Sequence, residues 1–359
     1  MTLFLIAGLL LLIVGAEALV RGASKAATSA GIPPVIVGLT VVAFGTSAAE
    51  LFVSISGSLS GQADLALGNV IGSNVFNVLF ILGVAALTGP LVVSSRLVRL
   101  DVPLCIGVSA LTLLLALDGS VGRLEGILLV CGLVAYTAFL IQQARSDSSP
   151  TPTTEESGTD GAGESGSLLL NIALAVGGLG LLVLGTGWFV DGAVSLARHL
   201  GVSELVVGLT IVAAGTSLPE LATSVIATLR GQRDIAVANV VGSNIFNLLA
   251  VLGIAAAVSP TGIFVSEAAL WFDLPVMIAV AVACLPIFAT GHRISRWEGG
   301  VFLAYYGAYV VYLILAATQH QALSSFSVVM AAFVVPLTVL TVGILGMREW
   351  RRQDGSAAL

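Results

Sequence analysis

Residues 38–83 read GLTVVAFGTSAAELFVSISGSLSGQADLALGNVIGSNVFNVLFILG, and residues 208–253 read GLTIVAAGTSLPELATSVIATLRGQRDIAVANVVGSNIFNLLAVLG. The two stretches lie 170 residues apart and are identical at 26 of 46 positions. The matches include Thr, Ser, Glu, Gln, Asp and Asn, which are expensive in an apolar setting, so shared hydrophobicity does not account for them. The chain is an internal duplication. Outside the block, Asp101-Val102-Pro103 answers Asp273-Leu274-Pro275, Arg123-Leu124-Glu125-Gly126 answers Arg296-Trp297-Glu298-Gly299, and Ala135-Tyr136 answers Ala308-Tyr309. An acid two residues before a proline suits a helix start, where the carboxylate caps free amides and the proline has none to waste.

The whole chain of 359 residues is 57% hydrophobic and 9% charged, with a mean hydropathy of +1.06. That balance excludes a water-soluble globule of this length. Eleven apolar stretches approach the roughly 20 residues a helix needs to cross a bilayer: 3–20, 35–59, 65–87, 102–117, 126–142, 168–190, 205–229, 235–257, 274–290, 301–317 and 326–347. The first has no basic leader and is followed by Arg21 and Lys25, so it is expected to stay attached rather than be cleaved. With the N-terminus outside and the C-terminus cytoplasmic, twelve of the fourteen Lys and Arg fall on the inner side, leaving Arg123 and Arg198 outside. The segment 146–167, rich in Ser, Thr, Gly, Asp and Glu, reads as a disordered linker. Cys105, Cys131 and Cys284 lie in apolar runs without paired spacing, and carry no disulfide or zinc signal.

Five spans per half is an odd number, so the second copy is inverted relative to the first. The expected architecture is an all-α polytopic membrane protein with two inverted five-helix repeats, 1–143 and 168–317. A flexible acidic cytoplasmic loop at 144–167 joins them, and an extra transmembrane helix with a cytoplasmic tail follows at 318–359. Inverted repeats are a construction secondary transporters use for alternating access, with the substrate near the midplane.

Within each copy Thr and Glu are four residues apart and Ser and Glu three, which puts Thr46, Ser47 and Glu50, and likewise Thr216, Ser217 and Glu220, on one helix face. Ser73 with Asn77, and Ser243 with Asn247, share a face of the next helix. Brought together, these faces make a dry pocket of oxygen donors around two carboxylates. Carboxylate, hydroxyl, amide and backbone carbonyl are the donors that hard cations such as calcium take. Pro219 has no amide to give the carbonyl of Gly215, and a broken helix frees carbonyls for an ion. Any single hydroxyl can equally bond its preceding turn or glue helices together. The glutamates are harder to explain that way: no Lys or Arg lies within these polar segments to neutralise them, which leaves a bound cation or a protonated pair. Glu17, four residues before Arg21, is expected to pair with it.

The duplicated GTSxxE and GSNxFN motifs resemble the alpha repeats of the calcium:cation antiporter superfamily, in its prokaryotic sodium/calcium exchanger branch, over residues 1 to about 317. The resemblance implies ion ligands at the backbone oxygens of Ala43 and Ala213 and at Thr46, Ser47, Glu50, Ser73, Asn77, Thr216, Ser217, Glu220, Ser243 and Asn247. It also implies three sodium sites around, and partly overlapping, one calcium site. Ala49 stands where the family usually has proline, so the first half is expected to keep a helix bond to Gly45 that the second loses. Asn247 stands where some relatives carry Asp, which leaves two carboxylates and argues against potassium co-transport.

The expected function is therefore sodium/calcium antiport, with calcium and sodium as transported ions, the bilayer as surroundings, and neither a cofactor nor a nucleic-acid partner. A proton/calcium exchanger would use the same glutamates. A channel would share the polar midplane without counter-transport, and a hydrolase lacks a mid-span His or Lys to activate its serines.

Overall fold

The structure is a computed structural model and describes residues 2–29, 32–59, 64–147, 168–199, 213–337, 339 and 343. Eight described helices are long and apolar enough to cross a membrane: α1 (Leu3–Ser29), α4 (Ala66–Thr88), α5 (Leu97–Leu115), α6 (Arg123–Ala144), α7 (Leu168–Leu196), α9 (Arg233–Val258), α10 (Ala269–Ala289) and α11 (Arg296–Ala317). A ninth span is the pair α2 (Val35–Thr46) and α3 (Ala48–Leu59), bent by 44° where they meet. Two shorter apolar helices, α8 (Leu218–Leu229) and α12 (Ala322–Leu337), correspond to the described parts of the seventh and eleventh expected spans. Residues 205–212 of the former, most of 338–359 and the acidic stretch 148–167 lie outside the described residues. Helix continues from Arg123 to Asp147, so residues 144–147, expected in the loop, are helical.

Large apolar side chains such as Phe52, Leu124 and Trp271 are exposed on the outside of this bundle. A lipid environment accommodates that arrangement, because the backbone bonds of helices are satisfied within each segment. The centre is made by α4 and α9, whose spans are 78% and 89% buried, against 6% for α11.

Two short strand pairs show how the halves are placed. Leu91–Val92, between α4 and α5, pairs antiparallel with Arg293–Ile294, between α10 and α11. Ser120–Val121, between α5 and α6, pairs with Ile263–Phe264, between α9 and α10. Each linker thus meets the non-equivalent linker of the other half, as an inverted repeat requires.

Close packing follows the same two-fold rule. Gly8, Gly15 and Gly22 are seven residues apart on α1, and Gly178, Gly185 and Gly192, each 170 residues later, are their counterparts on α7. A Cβ at Gly15 would come within 2.8 Å of the carbonyl of Gly178, and one at Gly185 within 2.9 Å of the carbonyl of Gly8. The two antiparallel backbones are therefore in direct contact, which only the smallest residues allow. Gly83 of α4 likewise faces Gly299 of α11, and its counterpart Gly253 of α9 faces Gly126 of α6.

The aspartates before the prolines do not act as helix caps. Helix runs through both positions, and Asp101, fully buried, accepts hydrogen bonds from Tyr136 Oη (3.0 Å) and Arg96 Nε (3.2 Å). Asp273 accepts one from Tyr309 Oη at 3.2 Å. Wide helical turns at Leu97–Asp101 and Ala269–Asp273 carry the chain past each acid, so no free amides are left there to cap. The two repeated fragments, Asp-x-Pro and Ala-Tyr, are instead joined to each other within each half. The expected pairing of Glu17 with Arg21 is present, and Arg230 at the end of α8 adds a second contact to the same carboxylate.

Replacing Gly178 with Leu places side-chain atoms against the α1 backbone, where a Cβ alone would sit 2.5 Å from the amide nitrogen of Leu19. Overpacking of this kind costs about 1–3 kcal/mol. The expected result is a lower thermal midpoint by fluorescence-detected size exclusion, while Gly177→Leu, with no atom within 4 Å of its Cβ position, leaves the midpoint unchanged.

Candidate ion site between the repeats

The bend between α2 and α3 falls on Ser47 (φ −77°, ψ 9°), and the break before α8 falls on Ser217 (φ −92°, ψ 12°). Both halves are therefore broken at the same serine, although only the second has a proline two residues on. The first half therefore bends without a proline at position 49. A smaller difference remains one step earlier: the Ser47 amide donates to Ala43 O at 3.0 Å, whereas the Ser217 amide donates to Ala214 O at 3.2 Å.

The reason for a break in both copies lies across the interface. Ser47 Oγ donates to Glu220 Oε1 at 2.9 Å, and Ser217 Oγ donates to Glu50 Oε1 at 2.8 Å. Each serine shares a turn with one glutamate yet bonds the other. Losing such a bond would leave a buried carboxyl oxygen unmet, at a cost of about 1–3 kcal/mol. Thr46 Oγ1 lies 3.4 Å from Asn239 Oδ1 and 3.3 Å from Ala43 O, and Thr216 Oγ1 donates to Asn69 Oδ1 at 3.3 Å. In turn Asn69 Nδ2 donates to the carbonyl of Glu50 (3.3 Å) and to Ser54 Oγ (3.0 Å). Asn239 does the same for Glu220 (3.5 Å) and Ser224 (3.1 Å).

Of the residues expected from sequence, Thr46, Ser47, Glu50, Ser73, Asn77, Ser217, Glu220, Ser243 and Asn247 are fully buried and Thr216 is partly so; hydrogen bonds join Ser47 to Glu220 and Ser217 to Glu50. Six of their oxygens are buried without a hydrogen-bond partner: Glu50 Oε2, Glu220 Oε2, Ser73 Oγ, Ser243 Oγ, Asn77 Oδ1 and Asn247 Oδ1. They form three pairs of repeat equivalents. Unmet buried acceptors are rare and costly, which makes a symmetric set of six a distinct chemical feature. Ala43 opens the helical turn that carries Thr46, and its carbonyl is already approached by the Ser47 amide and the Thr46 hydroxyl. Ala213 begins the corresponding turn in the second half.

Sequence reasoning missed the asparagines at 69, 74, 239 and 244. Their signal was available, since each is identical at the 170-residue offset, but their role depends on contacts between halves that spacing within one helix does not disclose. Asn77 and Asn247 each open a wide helical turn, Asn77–Ile81 and Asn247–Leu252. Such turns shift the helix register and recur at functional sites.

An inverted repeat of membrane-spanning helices, broken at its centre around two buried carboxylates, defines a secondary transporter of cations. Comparison with known proteins makes this specific. The sequence profile described as "Sodium/calcium exchanger protein" matches residues 1–142 and 170–315, and the chain belongs to that family. It is a cation antiporter, not an enzyme. It is 39% identical over 320 residues to the inner membrane protein YrbG of Escherichia coli, covering 87% of this chain and 95% of that one. With the sodium/calcium exchanger MaX1 of Methanosarcina acetivorans it shares 33% identity over 343 residues, covering 87% and 97%. The solved structure of the sodium-calcium exchanger NCX_Mj superposes with a TM-score of 0.73 at 27% identity, covering 86% of this chain and 97% of that one.

The crossed bonds predict matched effects. Ser47→Ala and Ser217→Ala each remove one buried hydrogen bond and leave a carboxyl oxygen without its donor, and are expected to lower stability by about 1–3 kcal/mol. Thermal unfolding in detergent should give the two variants similar midpoints, both below that of the parent chain.

Proposed function

We propose that the chain exchanges sodium for calcium by alternating access, three sodium ions per calcium ion, with Glu50 and Glu220 at the centre of the ion site. The observation that carries this reading is the symmetric set of six buried, unpartnered oxygens, one from each glutamate among them. A charged side chain at a span centre costs about 2.5–3.5 kcal/mol on insertion scales, and no described ion pair involves either glutamate. A cation supplies what the protein withholds. Calcium takes six to eight oxygens at about 2.3–2.6 Å, and hydroxyl, amide and carboxylate oxygens are the kit present. The names of MaX1 and NCX_Mj point to the same pair of ions.

The proposed ligands are Thr46, Ser47, Glu50, Ser73, Asn77, Thr216, Ser217, Glu220, Ser243 and Asn247, with the carbonyls of Ala43 and Ala213. Ala43 O becomes available when the Thr46 hydroxyl turns to its other acceptor, Asn239 Oδ1. Residues 1–147 and 168–317 form the two halves of the machine, 148–167 the cytoplasmic loop that joins them, and 318–359 an added helix and tail. The protein resides in the cell membrane with its N-terminus outside and C-terminus inside, on the distribution of its Lys and Arg.

Two carboxylates balance one calcium but leave three sodium ions with a net positive charge, so exchange at this ratio moves charge. The driving term is ~2.3 kcal/mol per elementary charge per 100 mV. Radiolabelled calcium uptake into sodium-loaded proteoliposomes is expected to rise or fall with an imposed potential; uptake indifferent to the potential would overturn the ratio. Calcium flux that follows a pH gradient in the absence of sodium would identify protons as the counter-ion instead.

The same assay tests the site. Glu50→Gln and Glu220→Gln are each expected to abolish exchange, and full activity in either variant would refute the placement of the ions.

A further inference from the structure

Four asparagines form a closed circuit where α4 and α9 cross. Asn74 Nδ2 donates to the backbone carbonyl of Asn244 (3.3 Å), and Asn244 Nδ2 donates to the backbone carbonyl of Asn74 (3.2 Å). With their amino groups committed to backbone, both side chains turn their oxygens the other way. Asn244 Oδ1 accepts from Asn77 Nδ2 at 2.9 Å, and Asn74 Oδ1 accepts from Asn247 Nδ2 at 3.2 Å. A carboxamide has its oxygen and amino group on one planar carbon, so fixing one end fixes the other. The oxygens left over, Asn77 Oδ1 and Asn247 Oδ1, are the buried atoms without a partner.

We infer that Asn74 and Asn244 are positioning residues for transport: each selects, in the residue three places along the opposite helix, the amide orientation that presents oxygen rather than NH2 to the ion pocket. All four side chains are buried, so water does not compete for these bonds. Turning any one amide over would set NH2 against NH2 or oxygen against oxygen, and the four bonds hold one another in place. The same geometry makes Asn74 a specificity determinant at position 247. Its oxygen faces that position and accepts a hydrogen, so an ionised carboxylate there would meet it acceptor to acceptor. The site is thereby held at two carboxylates.

This inference rests on the proposal that Asn77 and Asn247 are ion ligands, and its test separates the two. The half-saturating calcium concentration for sodium-driven uptake is measured in proteoliposomes for Asn74→Ala, Asn247→Ala, Asn77→Ala and two double variants. Asn247→Ala and Asn74→Ala are each expected to raise it about tenfold, the loss of one well-made contact. The Asn74→Ala/Asn247→Ala double variant should be no worse than Asn247→Ala alone, because an orienting residue has nothing left to orient. Asn74→Ala/Asn77→Ala should instead be worse than either single variant, since Asn77 is oriented by Asn244. Multiplication in the 74/247 pair would overturn the positioning role, as would an unchanged value in Asn74→Ala. An unchanged value in both Asn77→Ala and Asn247→Ala would overturn the ligand assignment beneath it. Should Asn74→Ala not be recovered as a monodisperse protein, Asn74→Ser runs the same cycle, and Asn244→Ala with Asn77→Ala runs its mirror image.

Discussion

The structure is organised by the need to hold two carboxylates, Glu50 and Glu220, away from water without a protein cation to neutralise them. Each is gripped by a serine from the opposite half, Ser217 for Glu50 and Ser47 for Glu220. For those serines to reach across, both helices must break in mid-span. A break in the membrane exposes backbone polar groups that lipid cannot satisfy, so it has to be enclosed in protein. Asn69 and Asn239 serve that enclosure by bonding the glutamate carbonyls, and the deep burial of α4 and α9 excludes solvent from what remains.

The rest of the scaffold repeats the same crossing. Glycine faces glycine where α4 meets α11 and where α6 meets α9, and the α1 and α7 backbones touch along a glycine stripe. Strand linkers exchange partners between halves at two places. Further from the centre, Asp101 with Tyr136 and Asp273 with Tyr309 tie helices together within each half. Backbone contacts made through glycine leave no side chain to absorb a shift, so the relative placement of the halves is tightly defined where the oxygens meet.

Much of this was legible in the sequence because duplication in a membrane leaves a strong signal. Polar residues kept at a fixed offset within apolar runs marked out the candidate site, and an odd span count implied the inversion. Helical spacing drew attention to Thr46, Ser47 and Glu50, although the helix breaks at Ser47 and its hydroxyl reaches Glu220 rather than Glu50. Contacts between halves were not recoverable in that way. Asn74 and Asn244 look like ordinary members of a repeated motif, and only the crossing of α4 and α9 shows that each addresses its neighbour's copy. Asp101 and Asp273 were misread because the local rule for acids before prolines is sound for a free helix end, whereas here a wide turn carries the helix through. The break at Ser47 was also hidden: proline is a visible cause of a broken helix, but a hydrogen bond to a glutamate 173 residues away leaves no local mark.

Crossed bonding has a consequence for the history of such a chain. After a gene duplicates, two copies ordinarily drift apart, one free to change while the other keeps the old task. Here a change at several buried polar positions of one copy is met by a residue of the other: Thr46 by Asn239, Ser217 by Glu50, Asn77 by Asn244. Neither copy holds a complete set of its own contacts, so selection acts on pairs of positions, one from each copy. Divergence is expected at sites that face lipid, as at Phe52, where the other copy has Ala222, while the crossing residues remain alike. The inheritance of the two halves is joined as firmly as their folding.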